Sequence, residues 1–188
     1  MEAILRREII IDKTMCRVIG VTVFVILTAL GAFVRIPLPF SPVPITLQTF
    51  FVLLSGAFLS SRLGTLSQFS YIILGVAGLP CFAGAGSGIF YILGPTGGYL
   101  IGFILASFLL GNFIKLSKNN ATSVFLSFCM ADFVLLISGV LWLKVIFGYN
   151  FGRLMFIGFF PFVIGDLIKI AAATAIYLKL QSRIKEIF

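Results

Sequence analysis

The chain of 188 residues contains no histidine, only six acidic residues, three cysteines and one tryptophan. Without histidine there is no imidazole base, no His-ligated metal and no Ser-His-Asp triad. Cys16, Cys81 and Cys129 stand too far apart for a CxxC or zinc spacing and read as buried apolar thiols. Charge is scarce: 11% of residues are Asp, Glu, Lys or Arg, against 60% from the set AVILMFWYC, with 22 phenylalanines. That balance excludes a soluble globular protein. At roughly 20 apolar residues per crossing, the chain has room for about five to seven membrane helices in one transmembrane domain.

The net charge of +8 invites a nucleic-acid reading. The basic residues are instead scattered over short segments between apolar runs, with no cluster that tracks a phosphate backbone, so no nucleic-acid partner is expected. They report topology. The N-terminus MEAILRREIIIDKTMCR has no apolar run long enough for a signal peptide, and reads either as a polar cytoplasmic tail or as a short interfacial helix.

The apolar runs predict an all-α bundle of six spans, at about 17–34, 45–60, 64–79, 96–115, 121–147 and 159–180. With the N-terminus cytoplasmic, Arg6, Arg7, Lys13, Arg17, Arg62, Lys115, Lys118, Lys179, Arg183 and Lys185 fall inside, and Arg35, Lys144 and Arg153 outside. This bias fits an even number of crossings with both termini in the cytoplasm.

The outer connections are unusual. RIPLPFSPVPIT, at 35–46, carries four prolines, which forbid a helix and suit an extended cap over a cavity. PCFAGAGSGIFYILGPTGGY, at 80–99, is rich in glycine and free of charge. Irregular backbone of this kind is tolerated at membrane depth only where it is buried in protein or lines a cavity. The run Gly84-Ala85-Gly86-Ser87-Gly88 has no following Lys-Ser/Thr and no strand-loop-helix context, so no Walker ATPase is present. These glycines serve either close packing and tight turns or backbone approach to a ligand.

The sharpest chemical signal is FPFVIGDLIKIAAA, at 160–173. Asp166 and Lys169 are three residues apart and share one face of the last span. Charges there cost about 2.5–3.5 kcal/mol each on insertion scales and are usually kept to face a cavity or a partner. The competing readings are a structural ion pair and a lysine reaching for the interface. Pro161 fits the first turn of that helix. Asp132, near the middle of the fifth span, is free to pair with Lys169, to carry protons, or to turn toward Lys115 or Lys118. Thr46, Gln48 and Thr49 open the second span, with Thr46 and Thr49 on one face. Phe40, Phe82, Phe90, Tyr91 and Tyr99 gather at the same outer end.

The stretches VPITLQTFFVLLSGAFLSSRLGTLSQ (43–68), YIILGVAGLPCFAGAGSGIFYILGPTGGYLIGF (71–103), GVLWL (139–143) and PFVIGDLIK (161–169) resemble the BioY family. These are the biotin-binding S components of energy-coupling-factor transporters. The resemblance runs from about residue 35 to 172 in the same order and spacing, and FAGAGSG followed by LGPTGGY is specific to it.

The resemblance implies a six-helix protein of a prokaryotic plasma membrane that captures biotin from outside, with no cofactor and no ATPase of its own. Energy would come from a transmembrane coupling protein and two ABC ATPases. Asp166 and Lys169 take the family's GDxxK positions, which bind the ligand's polar groups, and the proline-rich loop would be the lid. Gln48, Phe82, Gly84 and Tyr91 match motif positions near the site.

Two features depart from the pattern. The small-residue docking stripe of the first helix reads here Gly20, Phe24, Thr28, Ala32, and Asp132 stands in a segment expected to be apolar. Two other classes compete with the transporter component: a proton-coupled secondary vitamin transporter working through Asp132 and Asp166 without ATPase partners, and an intramembrane enzyme using those acids as a pair. Against the first, no inverted repeat or matched pair of broken helices is visible. No recognisable motif frames the second.

Overall fold

A computed structural model describes the backbone of residues 2–117 and 120–185, and the side chains of residues 13–117 and 120–182. Of the basic residues assigned to a side above, Lys118 and the side chains of Arg6, Arg7, Arg183 and Lys185 lie outside the described residues.

Helix α1 runs unbroken over Glu2–Phe33, so the N-terminal segment continues the first span rather than forming a tail or a separate interfacial helix. At 1.5 Å per residue it is roughly 48 Å long, longer than the ~30 Å hydrocarbon core. The strand pair β1 (Arg35–Ile36) and β2 (Ile45–Thr46) follows, antiparallel, with Arg35 opposite Thr46. Then come α2 (Gln48–Val76), α3 (Ile89–Leu93), α4 (Gly97–Leu116), α5 (Ala121–Phe147), α6 (Phe151–Gly158) and α7 (Phe160–Lys185).

Among the described residues, five helical stretches are long and apolar enough to cross a membrane, not six. The difference lies in α2, which the sequence divides into two spans. Its helical run breaks at Ser60, where φ 63° and ψ 175° reverse the chain. The legs 48–59 and 61–76 then pack antiparallel. Gln48 Nε2 donates to Tyr71 Oη, Gln68 Nε2 donates to Ser55 Oγ at 3.0 Å, and Gly64 lies against the backbone of Ser55 and Gly56. The bundle therefore has six helical passes. The first leg, roughly 18 Å long, is shorter than the ~30 Å hydrocarbon core.

A positive φ is strained for serine. It is held by α4: a Cβ on Gly111 would strike the backbone of Ser60 and Ser61, so only glycine lets α4 seat against the reversal.

Polar groups stitch the half of the bundle near this turn. Gln68 also donates to Ser67 Oγ at 3.1 Å and to Thr28 Oγ1 at 3.4 Å, and the Ser55 and Ser107 hydroxyls lie 3.1 Å apart, joining α1, both legs of α2 and α4. Thr28 and Ala32 are wholly buried and Phe24 nearly so. The expected docking stripe on α1 thus faces inward onto α2, and its small residues serve packing within the bundle. The three cysteines are unpaired and only partly buried rather than buried, because the bundle's outer surface is itself apolar.

The opposite end holds the two irregular connections. The first is pinned at both edges: Leu47 N donates to Gly31 O and Val34 O, while Ser41 Oγ donates to Ile157 O at 2.7 Å on α6. The second folds back through a Phe82–Gly86 bridge and then forms the short helix α3, where the sequence suggests only irregular backbone. Trp142 Nε1 of α5 donates to Gly94 O at 2.9 Å and fixes the end of that loop. Gly148 in the left-handed conformation ends α5, and the Asn150 side chain caps α6 by accepting from Arg153 N at 2.9 Å.

Candidate functional site

Beneath the two irregular connections lies a cavity with about 500 Å³ of empty space, counting its open mouth. Its walls are largely apolar, from Leu100 and Phe103 on α4, Leu135 and Leu136 on α5 and Phe162 on α7. Val43, Pro44 and Thr46 of the first connection, with Ala83 and Tyr91 of the second, close it toward the loop end.

The polar groups converge from two elements. On α7, Phe162, Asp166 and Lys169 follow one helical face into the cavity. Lys169 Nζ donates to Asp166 Oδ1 at 2.7 Å, to Thr49 Oγ1 at 2.9 Å and to the backbone carbonyl of Thr46 at 2.7 Å. An ammonium has three hydrogens, so these contacts use all of its donors. Thr49 Oγ1 also donates to Asp166 Oδ1 at 3.2 Å. This is the one ion pair among the described residues, and Asp166 is almost fully buried. Its second oxygen, Oδ2, is buried with no hydrogen-bond partner among the described residues.

A buried carboxylate oxygen without a donor is costly, so an N–H-bearing ligand in this cavity would gain a strong charge-assisted hydrogen bond there. Gln48, also buried, accepts from Thr46 Oγ1 and donates to Tyr71 Oη, which in turn donates to the carbonyl of Cys81 at 2.9 Å. That chain ties the strand pair, both legs of α2 and the glycine-rich connection into one wall. Tyr91 Oη donates to Ala83 O at 3.0 Å; burial pushes its phenol above the ordinary range and the nearby Arg35 guanidinium pulls partway back, leaving a neutral hydroxyl at the rim.

The BioY family profile matches residues 7–186. The chain belongs to the BioY family. It is 42% identical over 161 residues to the probable biotin transporter BioY of Pyrococcus horikoshii, covering 86% of this chain and 93% of that one. It is 38% identical over 172 residues to the biotin transporter BioY of Thermotoga maritima, covering 89% and 96% respectively. A crystal structure described as the S-component for biotin from an ECF-type ABC transporter matches with a TM-score of 0.85 at 25% identity, over 91% of this chain and 93% of that one. The chain is thus a multi-pass membrane protein of a transporter family, not an enzyme.

Of the residues singled out in the sequence, this BioY chain brings Gln48, Tyr91, Asp166 and Lys169 into the cavity wall, together with Thr46, Thr49 and Tyr99. Phe82 and Gly84 are not part of that wall. Phe82 is wholly buried behind it, stacked on Tyr91 with centroids 4.8 Å apart and edge-on to Tyr71 at 5.6 Å. Gly84, at φ +77°, lies against the guanidinium of Arg35.

The residues that sequence reasoning missed are the apolar lining and Thr96. The only available signal was spacing: Thr96, Tyr99, Leu100 and Phe103 repeat at three and four, as one face of α4 must.

Asp132 does not join the site. It is buried in a separate crevice between α5 and α7, among Phe133, Phe159, Val163 and Leu167, and its Oδ1 has no hydrogen-bond partner among the described residues. Leu136 lines both spaces. Lys169 pairs with Asp166, not with Asp132.

Proposed function

We propose that this protein is the substrate-capture S component of an ECF-type importer and takes up biotin in the cavity between α2, α4, α5 and α7. The observation that carries the reading is the unpartnered Oδ2 of Asp166, whose Oδ1 pairs with Lys169, in the wall of a largely apolar chamber.

Biotin's ureido ring offers two N–H donors on one edge and a carbonyl on the other, beside a sulfur ring and an alkyl tail. One N–H meets Asp166 Oδ2. Leu100, Phe103, Leu135 and Phe162 bury the sulfur ring and the chain. At about 25 cal/mol per Å² of apolar area, that burial supplies much of the affinity, and the Asp166 contact supplies orientation. Gln48 and Tyr91 complete the polar lining. Phe82 holds Tyr91 in place by stacking from behind, and Gly84 shapes the rim.

The loop end faces the outside and both termini face the cytoplasm, as the distribution of basic residues supports. With no nucleotide site of its own, the protein works with a transmembrane coupling protein and two ABC ATPases. A proton-coupled carrier relaying through Asp132 and Asp166 is the less favoured reading, because the two acids line different cavities and share no hydrogen bond among the described residues.

Co-expression in a biotin-requiring host, with and without the ATPases, tests the energy source. Uptake that needs the ATPases is expected. Uptake without them that collapses with the proton gradient would favour the secondary transporter.

A further inference from the structure

The polar core of the cavity is electrically closed. Lys169 spends all three donors on Asp166, Thr49 and Thr46, and its charge is matched by Asp166. A ligand that carries a carboxylate, as biotin does on its valerate tail, therefore finds no free cation inside, and an unpaired carboxylate held near an apolar wall is costly. Another cation has to be within reach at the mouth.

Three basic side chains stand at the loop end: Arg35, Lys144 and Arg153. Arg153 lies over the ring of Tyr149 at 4.0 Å and lines a different crevice with Phe40 and Pro42. Lys144 is exposed in the last turn of α5 and lines none of the cavities described. Arg35 also lines none of these cavities, but it is the one whose guanidinium rests against the glycine-rich connection that closes the Asp166 cavity.

It sits in β1 opposite Thr46, whose carbonyl holds Lys169. Its guanidinium rests on Gly84, next to the cavity-lining Ala83, and is close enough to Tyr91 to act on its phenol. No acid pairs with it among the described residues. The close approach is favoured by Gly84, whose φ of +77° is a conformation that disfavours a side chain.

Building on the biotin reading above, we propose that Arg35 receives the carboxylate of the ligand's tail at the cavity mouth. The two ends of the ligand are then read by different groups: Asp166 takes the N–H edge inside, and the Arg35 fork takes the acid at the rim. The protein selects the free acid over esters and amides of the same tail.

Calorimetry of the full chain in detergent, with biotin and with biotin methyl ester, tests this. The wild type is expected to bind the acid at least tenfold tighter than the ester. Arg35→Gln is expected to bring the acid down to the ester's level while the ester's own affinity stays within twofold. Because the guanidinium is exposed, raising salt on the wild-type protein should shrink the acid's advantage and leave the ester unaffected. This second measurement needs no variant to fold.

An acid preference that survives Arg35→Gln, one that is flat with salt, or none at all in the wild type would overturn the assignment. Failure of the wild type to bind either compound would instead overturn the biotin reading.

Discussion

Two buried aspartates, lining two cavities that share Leu136 in their walls, occupy opposite kinds of surroundings. Asp166 has one oxygen saturated by Lys169 and Thr49, with a free acceptor left over beside a chamber that two ordered loops close. Asp132 faces an apolar crevice whose walls supply no donor to its Oδ1. A buried acid in a span is therefore not by itself a site. What makes one is convergence: a cation on the same helix face, hydroxyl and carbonyl groups from another helix and strand, and a wall of apolar side chains shaped to a ligand.

The contrast is sharpened first by stability. Lys169→Met leaves Asp166 buried without its cation, which costs about 3–5 kcal/mol when a buried pair is broken. Thermal unfolding in detergent should show a large loss, and an unchanged melting temperature would mean that the pair contributes nothing. Asp132→Leu should do the reverse. Removing an unanswered polar group in favour of an apolar one should stabilise by about 1–3 kcal/mol, and a drop in melting temperature would reveal a partner for Asp132.

Binding separates the two acids next. Asp166→Asn should weaken biotin at least tenfold, about 1.4 kcal/mol, whereas Asp132→Asn should change it by less than about twofold, some 0.4 kcal/mol. Equal effects at the two positions would erase the distinction.

How much of this was legible in the sequence follows from where polarity is rare. Asp166 and Lys169 stand out because three residues of spacing in an apolar span admit one geometry, a shared helix face. Thr46 and Thr49 were singled out on the same spacing, but Thr46 lies in β2 ahead of α2 and meets Lys169 through its backbone carbonyl rather than from a shared helix face. The six passes were visible as apolar runs, and the gap between the spans at 45–60 and 64–79 marks where the chain reverses; that Ser60 alone makes the turn was not legible, since no glycine or proline marks its positive φ, and the glycine that permits it, Gly111, sits on another helix.

The lining on α4 was hidden because that helix is apolar all round, so periodicity does not distinguish its cavity face from its lipid face. Phe82 and Gly84 were singled out by motif, yet their places are behind the wall and under Arg35, which only tertiary contacts determine. The small residues that α1 keeps, Thr28 and Ala32, are buried within the bundle, where residues of this size suit close helix packing.

The central claim is that the Asp166 chamber binds biotin. Calorimetry of the purified wild-type protein and of Asp166→Asn, with biotin and with thiamine and riboflavin as controls, tests it directly. Tight binding of biotin alone by the wild type, weakened tenfold or more in the variant, is the expected result. Binding of either control without biotin, or full biotin affinity in Asp166→Asn, would contradict the account.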